Sequence, residues 1–237
     1  YGPLALKWNY VPKMIPWMMR FVQNCNTKSM LHTAKYMHQI LDLSLDAYDD
    51  AFKEIDITGL VVKKGIIYGW TNENLKSRKL EIKVREDLGV KQTLISKKEI
   101  SDLEPNLQPI FDAGVLFDNA WHARDPYAIS RKLFELYIKK GGAFIKENVI
   151  HINQVNSDET LIKTENKEYK FEKTVIACGA FSKKLTDQLG ENIPLDTERG
   201  YHVHFKDMDH LLSRAVINLD RGFGLTPMNQ GMRAVGT

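Results

Sequence analysis

Thr174-Val-Ile-Ala-Cys-Gly-Ala-Phe-Ser182 is the stretch on which the fold turns. Thr174 to Cys178 is a short apolar run closed by Gly179, the pattern of a buried strand. From Ser182 to Leu189 the apolar spacing becomes helical. The whole segment reads as a buried strand that turns on small residues into a helix.

Upstream, Thr160–Thr164 and Tyr169–Phe171 flank a polar turn and predict a hairpin. Val149–Ile152 and Ala143-Phe-Ile-Lys146 predict two more strands. Before them, Asp125-Pro126 opens a helix, with Asp as N-cap and Pro in the first turn, running to Gly141-Gly142. Earlier still, Ser96-Lys-Lys-Glu99 is a capping box for a short helix that ends at Glu104-Pro105. Gly114–Asp118 is a strand, and Asn74–Leu88 is a charged helix with Gly89 as its C-cap. Leu60–Trp70 reads as two short strands around Lys63-Lys64-Gly65.

Nearer the start, one apolar stripe from Met30 to Ile55 predicts a single long helix capped by Thr27 or Ser29. Pro12–Asn24 predicts a short amphipathic helix, and residues 1–11 a loop. Downstream, Tyr201–Phe205, Ala215–Leu219, Gly222–Thr226 and the residues from Met232 alternate as strands of a mixed sheet.

Composition narrows the function. The chain has 237 residues, 43% hydrophobic and 27% charged, enough for a core without disulfides. Its net charge of +3 is small and spread along the chain, which argues against a nucleic-acid surface. No apolar run reaches the ~18 residues of a membrane helix. Cys25 and Cys178 stand far apart, with no metal or redox spacing. The chain begins at Tyr1 and stops within a strand-like pattern, so it reads as an internal piece of a longer reading frame.

Several chemistries lack their residues. There is no G-x-S-x-G elbow, no P-loop and no H-E-x-x-H. His202 and His204 share one face of a strand, but no carboxylate or cysteine at a telling spacing joins them as metal ligands. Gly222-Phe-Gly224 is followed by Pro227 rather than a helix, and fails as a dinucleotide fingerprint.

The order of segments is more informative than any one of them. Helix, Gly141-Gly-Ala-Phe-Ile-Lys-Glu-Asn-Val149, hairpin and Thr174–Ser182 together resemble the middle of FAD-dependent amine oxidoreductases of the D-amino-acid oxidase family. Three flanking stretches resemble one branch of it, the D-amino-acid dehydrogenases of the small-subunit type. They are Gly2-Pro-Leu-Ala-Leu-Lys-Trp-Asn-Tyr-Val-Pro-Lys13 with Pro16-Trp17, Glu198-Arg-Gly-Tyr-His202 and Leu225-Thr-Pro-Met-Asn-Gln-Gly-Met-Arg-Ala-Val-Gly-Thr237. The resemblance spans nearly the whole chain. Cys178 and Phe181 depart from it, standing where the family usually has Ala, Ser or Thr and Trp.

The resemblance implies a mixed α+β and α/β chain that is part of a two-domain FAD-dependent oxidoreductase. Residues 1–124 and 196–237 would belong to a mixed-sheet substrate domain, and residues 125–195 to the middle of a Rossmann-like FAD domain. The FAD pyrophosphate loop would precede Tyr1, and the usual substrate-carboxylate Arg would follow Thr237. The expectation is therefore that this stretch alone binds FAD poorly and is inactive.

The resemblance carries over Val149 and Ala177-Cys178-Gly179-Ala180 as cofactor-binding positions. Small side chains there let backbone approach the cofactor. Phe223, Leu225, Tyr201 and His202 carry over as substrate-side positions. The implied reaction is oxidative deamination of D-amino acids to 2-oxo acids and ammonia by hydride transfer to flavin. No general base is required, no catalytic residue is assigned and no metal is expected.

A glycine- or sarcosine-oxidase-like enzyme using oxygen is the alternative within the family. A non-catalytic binding protein lacking the cofactor cradle is the alternative outside it. The electron acceptor stays open, and the setting implied is bacterial cytoplasm or the inner face of the cytoplasmic membrane.

Overall fold

The computed structural model describes residues 11–71, 75–197 and 199–236. The loop expected over residues 1–11 therefore lies almost wholly outside the described residues.

Three helices come first: α1 (Val11–Asn24), α2 (Thr27–Leu41) and α3 (Ser44–Phe52). The strands β1 (Val61–Val62) and β2 (Ile66–Trp70) precede α4 (Leu75–Asp87). β3 (Thr93–Ser96), α5 (Lys97–Leu103), β4 (Ala113–Phe117), β5 (His122–Ala123) and α6 (Pro126–Lys139) follow. Next are β6 (Val149–Asn156), β7 (Glu159–Thr164), β8 (Glu168–Phe171) and α7 (Ser182–Thr186). The last strands are β9 (Tyr201–Phe205), β10 (Ala215–Asn218), β11 (Phe223–Met228) and β12 (Gly231–Gly236).

The chain divides into two compact units. One comprises residues up to Leu133 together with His202–Gly236, and the other Phe134–Tyr201.

The larger unit is built on a seven-stranded sheet of order β3-β4-β2-β10-β11-β12-β9. β2 and β10 are parallel, with Ile67 opposite Val216. The pairs β2–β4, β3–β4, β10–β11 and β11–β12 are antiparallel. Residues on a strand alternate between faces. One face carries Ile67, Leu116, Val216 and Met232, which join Ile95, Phe111, Leu212 and Ile100 of α5 in the buried core. The other face carries Tyr68, Ile217, Thr226 and Arg233, all half-buried, and the exposed Val235.

The edge helix α5 starts as the sequence predicts. The Ser96 hydroxyl accepts from Glu99 N–H at 3.3 Å, and Glu99 Oε2 accepts from Ser96 N–H at 2.7 Å. That exchange satisfies two orphan amides of the first turn, and the bonded Ser96 groups hold the Glu99 carboxyl below the usual carboxylate range. α6 is capped as expected too, with Asp125 Oδ1 accepting from Ala128 N–H at 2.9 Å.

Some expectations fail. The single long helix is two, with a turn at Asp42-Leu43 interrupting the regular pattern although both residues keep right-handed helical torsions. Asp42 lies in the interruption and Ser44 follows it, and both side-chain types compete with helical backbone bonding. Its N-cap is Asn26, whose Oδ1 accepts from Ser29 N–H at 2.9 Å, rather than Thr27 or Ser29. β1 and β2 do not pair with each other: β1 joins β5 and β2 joins the large sheet.

In the smaller unit, β6, β7 and β8 form an antiparallel sheet in sequence order, with Ile162 opposite Tyr169 in the hairpin. α6 passes into this unit and docks its end on the following loop. Tyr137 Oη donates to Ala143 O at 2.9 Å, and Phe134 meets Phe144 edge-on at 5.3 Å. Gly142 is required there, since a Cβ would lie 2.3 Å from the Tyr137 ring.

Neither Ala143–Lys146 nor Thr174–Cys178 is a strand. Thr174–Cys178 is not buried as a whole either, and Val175 is 87% exposed. An apolar run becomes a buried strand only when neighbouring strands accept its backbone bonds, and among the described residues none pairs with it.

Candidate functional site

The cofactor candidates lie together in the smaller unit. Val149 is the first residue of β6, pairs with Thr164 and remains 39% exposed. The Thr164 hydroxyl donates to Glu147 Oε2 at 2.5 Å and accepts from Lys167 N–H at 3.0 Å, fixing the strand end.

Ala177, Cys178, Gly179 and Ala180 form a turn into a 3-10 segment, Gly179–Phe181, that leads to α7, and Cys178 to Ala180 are exposed. The Ser182 hydroxyl accepts from Cys178 N–H at 3.1 Å, and Cys178 O accepts from Phe181 N–H at 3.1 Å. Gly179 has φ +55°, which disfavours any side chain, and a Cβ there would meet nothing within 4 Å. Its need is conformational, and the space above its backbone is open.

Gln188, just after α7, bonds to β6. Its Oε1 accepts from Ile152 N–H at 3.0 Å and its Nε2 donates to Ile150 O at 3.3 Å. The segment Asp187–Leu189, after α7, is thereby clamped beside β6. An open hollow of about 460 Å³ on this unit is lined by Ile152, Thr160, Thr174, Val175 and Ile176, among others.

The substrate-side candidates fall differently. Tyr201 is 66% exposed and ends the smaller unit, while His202 is exposed and begins the last part of the larger one. Phe223 and Leu225 share one face of β11, and Leu225 packs against the core cluster. Their neighbours Gly224 and Thr226 face the opposite side, with Ile217 and Arg233. The sequence reading named Phe223 and Leu225, and the structure puts both on the face of β11 from which Leu225 packs against the core.

Two further sites were not legible as such in the sequence. His122 is buried at 7% exposure, and neither ring nitrogen has a hydrogen-bond partner among the described residues. Burial pushes its pKa below the ordinary histidine value. The Arg124 charge acts in the same direction, and together they outweigh the Pro227 backbone, which acts the other way. His122 borders an apolar groove of about 340 Å³ between α3 and α6, with Tyr48, Phe52, Trp121 and Leu133. A second cavity of about 260 Å³ gathers Arg124, His204 and Arg233. No group of three or more His, Cys, Asp or Glu able to hold a metal occurs among the described residues. No described helix is long and apolar enough to cross a membrane.

A mixed sheet of this order, with a separate small antiparallel sheet beside a small-residue turn, defines part of a flavin-dependent oxidoreductase fold. Residues 15–237 match the DAO family, FAD dependent oxidoreductase, and the chain belongs to that family. It is 27% identical to a D-amino-acid oxidase of Bradyrhizobium diazoefficiens over 239 residues, covering 100% of this chain and 56% of the relative. It is 21% identical to a D-amino acid dehydrogenase of Vibrio atlanticus, again covering 100% of this chain and 56% of the relative.

Among solved structures, glycine oxidase from Geobacillus kaustophilus is similar with a TM-score of 0.63 and 18% identity, covering 89% of this chain and 55% of that one. L-proline dehydrogenase from P. horikoshii gives a TM-score of 0.68 at 18% identity, covering 83% and 54%. The chain thus spans just over half the length of these relatives.

Proposed function

We propose that the protein containing this chain oxidises D-amino acids to 2-oxo acids and ammonia, as a dehydrogenase of the FAD-dependent family to which it belongs. The observation that carries the reading is the Ala177–Ala180 turn. Its backbone is braced by Ser182, and Gly179 leaves open space where a side chain would stand. That arrangement fits a cofactor approached by main chain. Relatives named D-amino-acid oxidase and D-amino acid dehydrogenase support the choice of substrate.

In this reading residues 125–195 belong to the FAD domain, and residues 1–124 and 196–237 to the substrate domain. Val149, Ala177, Cys178, Gly179 and Ala180 hold the cofactor, chiefly through backbone and small side chains. When bound, FAD supplies the two-electron acceptor for oxidation at the substrate α-carbon, chemistry that no side chain provides. Tyr201 and His202 serve the substrate side from exposed positions. Phe223 and Leu225 support β11 from its core face, so that Gly224 and Thr226 present the other face to substrate. Any peripheral membrane contact would use α1, which exposes Trp17, Met18, Met19 and Phe21.

The test is made on the intact protein. It should purify with a flavin spectrum and bleach anaerobically with D-alanine, passing electrons to a dye. Peroxide formed from glycine or sarcosine, with D-alanine inert, would replace the dehydrogenase reading by an amine oxidase. A folded colourless protein that cannot be loaded with FAD would refute both.

A further inference from the structure

We infer that α1 docks on an anionic lipid bilayer, with its apolar face in the headgroup region and its basic residues among the lipid phosphates. This gives the peripheral contact a lipid class and a geometry. It does not rest on which substrate the protein oxidises.

The apolar residues of α1 fall on one side. Met14, Trp17, Met18, Phe21 and Val22 step by three and four along the helix, while Lys13 and Arg20, seven apart, share the opposite side with Gln23. None of the 14 residues is buried. Trp17 is 59% exposed, Phe21 55% and Val22 67%. Trp17 and Phe21 stack on each other at 5.1 Å, so their rings are presented as a pair. A helix ordinarily turns such a stripe towards a core, and here the stripe stands open. At 14 residues α1 is too short to span a bilayer, but a helix of this pattern can lie along one.

The charge distribution selects the occupant. Basic residues are spread through the chain, but acidic ones are not. Residues 1–41 hold Lys7, Lys13, Arg20, Lys28 and Lys35 and no Asp or Glu, the first acid being Asp42. The remaining residues carry 28 Lys and Arg against 30 Asp and Glu, so the excess positive charge of the chain lies wholly in this segment. A second copy docked face to face would set these cations against their own images, which disfavours it. An anionic bilayer satisfies both features at once. Trp and Phe suit the boundary between headgroups and acyl chains, and each Lys or Arg near the surface adds to the attraction.

The experiment is sedimentation of the intact protein with vesicles of equal parts phosphatidylglycerol and phosphatidylcholine, and separately with vesicles of phosphatidylcholine alone. The protein should bind the first at least about tenfold more tightly, and lose most of that advantage in high salt. Trp17→Ser combined with Phe21→Ser should weaken binding to the anionic vesicles at least about tenfold. Lys13→Gln combined with Arg20→Gln should do so by a similar factor, about tenfold or more. Circular dichroism and the flavin spectrum should not change, because all four side chains are exposed. Two separate pairs keep the test open if one variant misfolds. Absence of binding to the anionic vesicles would overturn the proposal. So would equal binding to both kinds of vesicle, or an affinity within twofold of the parent in a folded double variant. A dimer in light scattering that the Trp17 and Phe21 substitutions dissociate would give the face to a second copy instead. Bleaching by D-alanine is scored separately, so an error in the substrate leaves this result standing.

Discussion

Arg214 Nε donates to Glu104 Oε1 at 2.9 Å, and the Glu104 side chain is only 2% exposed. The same carboxylate accepts from Ser213 N–H at 2.8 Å and from the Ser213 hydroxyl at 2.6 Å. One acidic residue at the end of α5 thus fastens the segment leading into β10. Removing one partner of a buried pair leaves the other uncompensated. Glu104→Ala should destabilise the protein by about 3–5 kcal/mol, read from urea unfolding. Glu104→Gln, which still accepts from Ser213, should lose less than half as much. A change within error for the Ala variant would show that the fastening contributes nothing.

His122 predicts a pH dependence. Its pKa is lowered in the fold chiefly by burial, whereas in the unfolded chain it titrates near about 6.5. Below that pH the unfolded state binds the extra proton, so stability falls as pH drops through and below about 6.5 and is level above it. Urea midpoints between about pH 5 and 8 should follow that course. His122→Leu, which suits the apolar groove beside it, should flatten the fall. A wild-type and variant difference that does not vary with pH would remove His122 as its cause.

Gly179 separates cofactor binding from folding. At φ +55° with nothing near the Cβ position, Gly179→Ala should cost about 1–2 kcal/mol of backbone strain. Its effect on FAD should be larger, at least a tenfold loss of affinity in the intact protein, because the added methyl enters the open space. Fluorescence titration with FAD measures this directly. Unchanged affinity in a folded variant would move the cofactor away from the turn.

Gly142 tests the loop between α6 and β6. A Cβ there overlaps the Tyr137 ring, so Gly142→Ala should cost about 1–3 kcal/mol through overpacking. The loss should shrink in the background of Tyr137→Ala, where the ring is gone. Additivity of the two substitutions in unfolding experiments would contradict the contact.

The sequence by itself determined what neighbours in the chain decide. The Ser96–Glu99 box, the Asp125 cap, the hairpin of β7 and β8 and the C-terminal end of α4 are legible because each depends on a few consecutive residues. The order of segments and the family are legible for a similar reason, since they are properties of the string.

The tertiary structure alone decided what depends on partners remote in sequence. The parallel pairing of Ile67 with Val216 has no local mark. Nor does the side of β11 that Leu225 occupies, which the core cluster fixes. Thr174–Cys178 has the composition of a buried strand, yet it finds no strand partner among the described residues and leaves Val175 exposed. The cavity of Arg124, His204 and Arg233 exists only because the start of α6 meets the far end of the large sheet. Hydrogen-bond partners and burial are relations between segments, and a strand or a site lacks them until the fold supplies the other side.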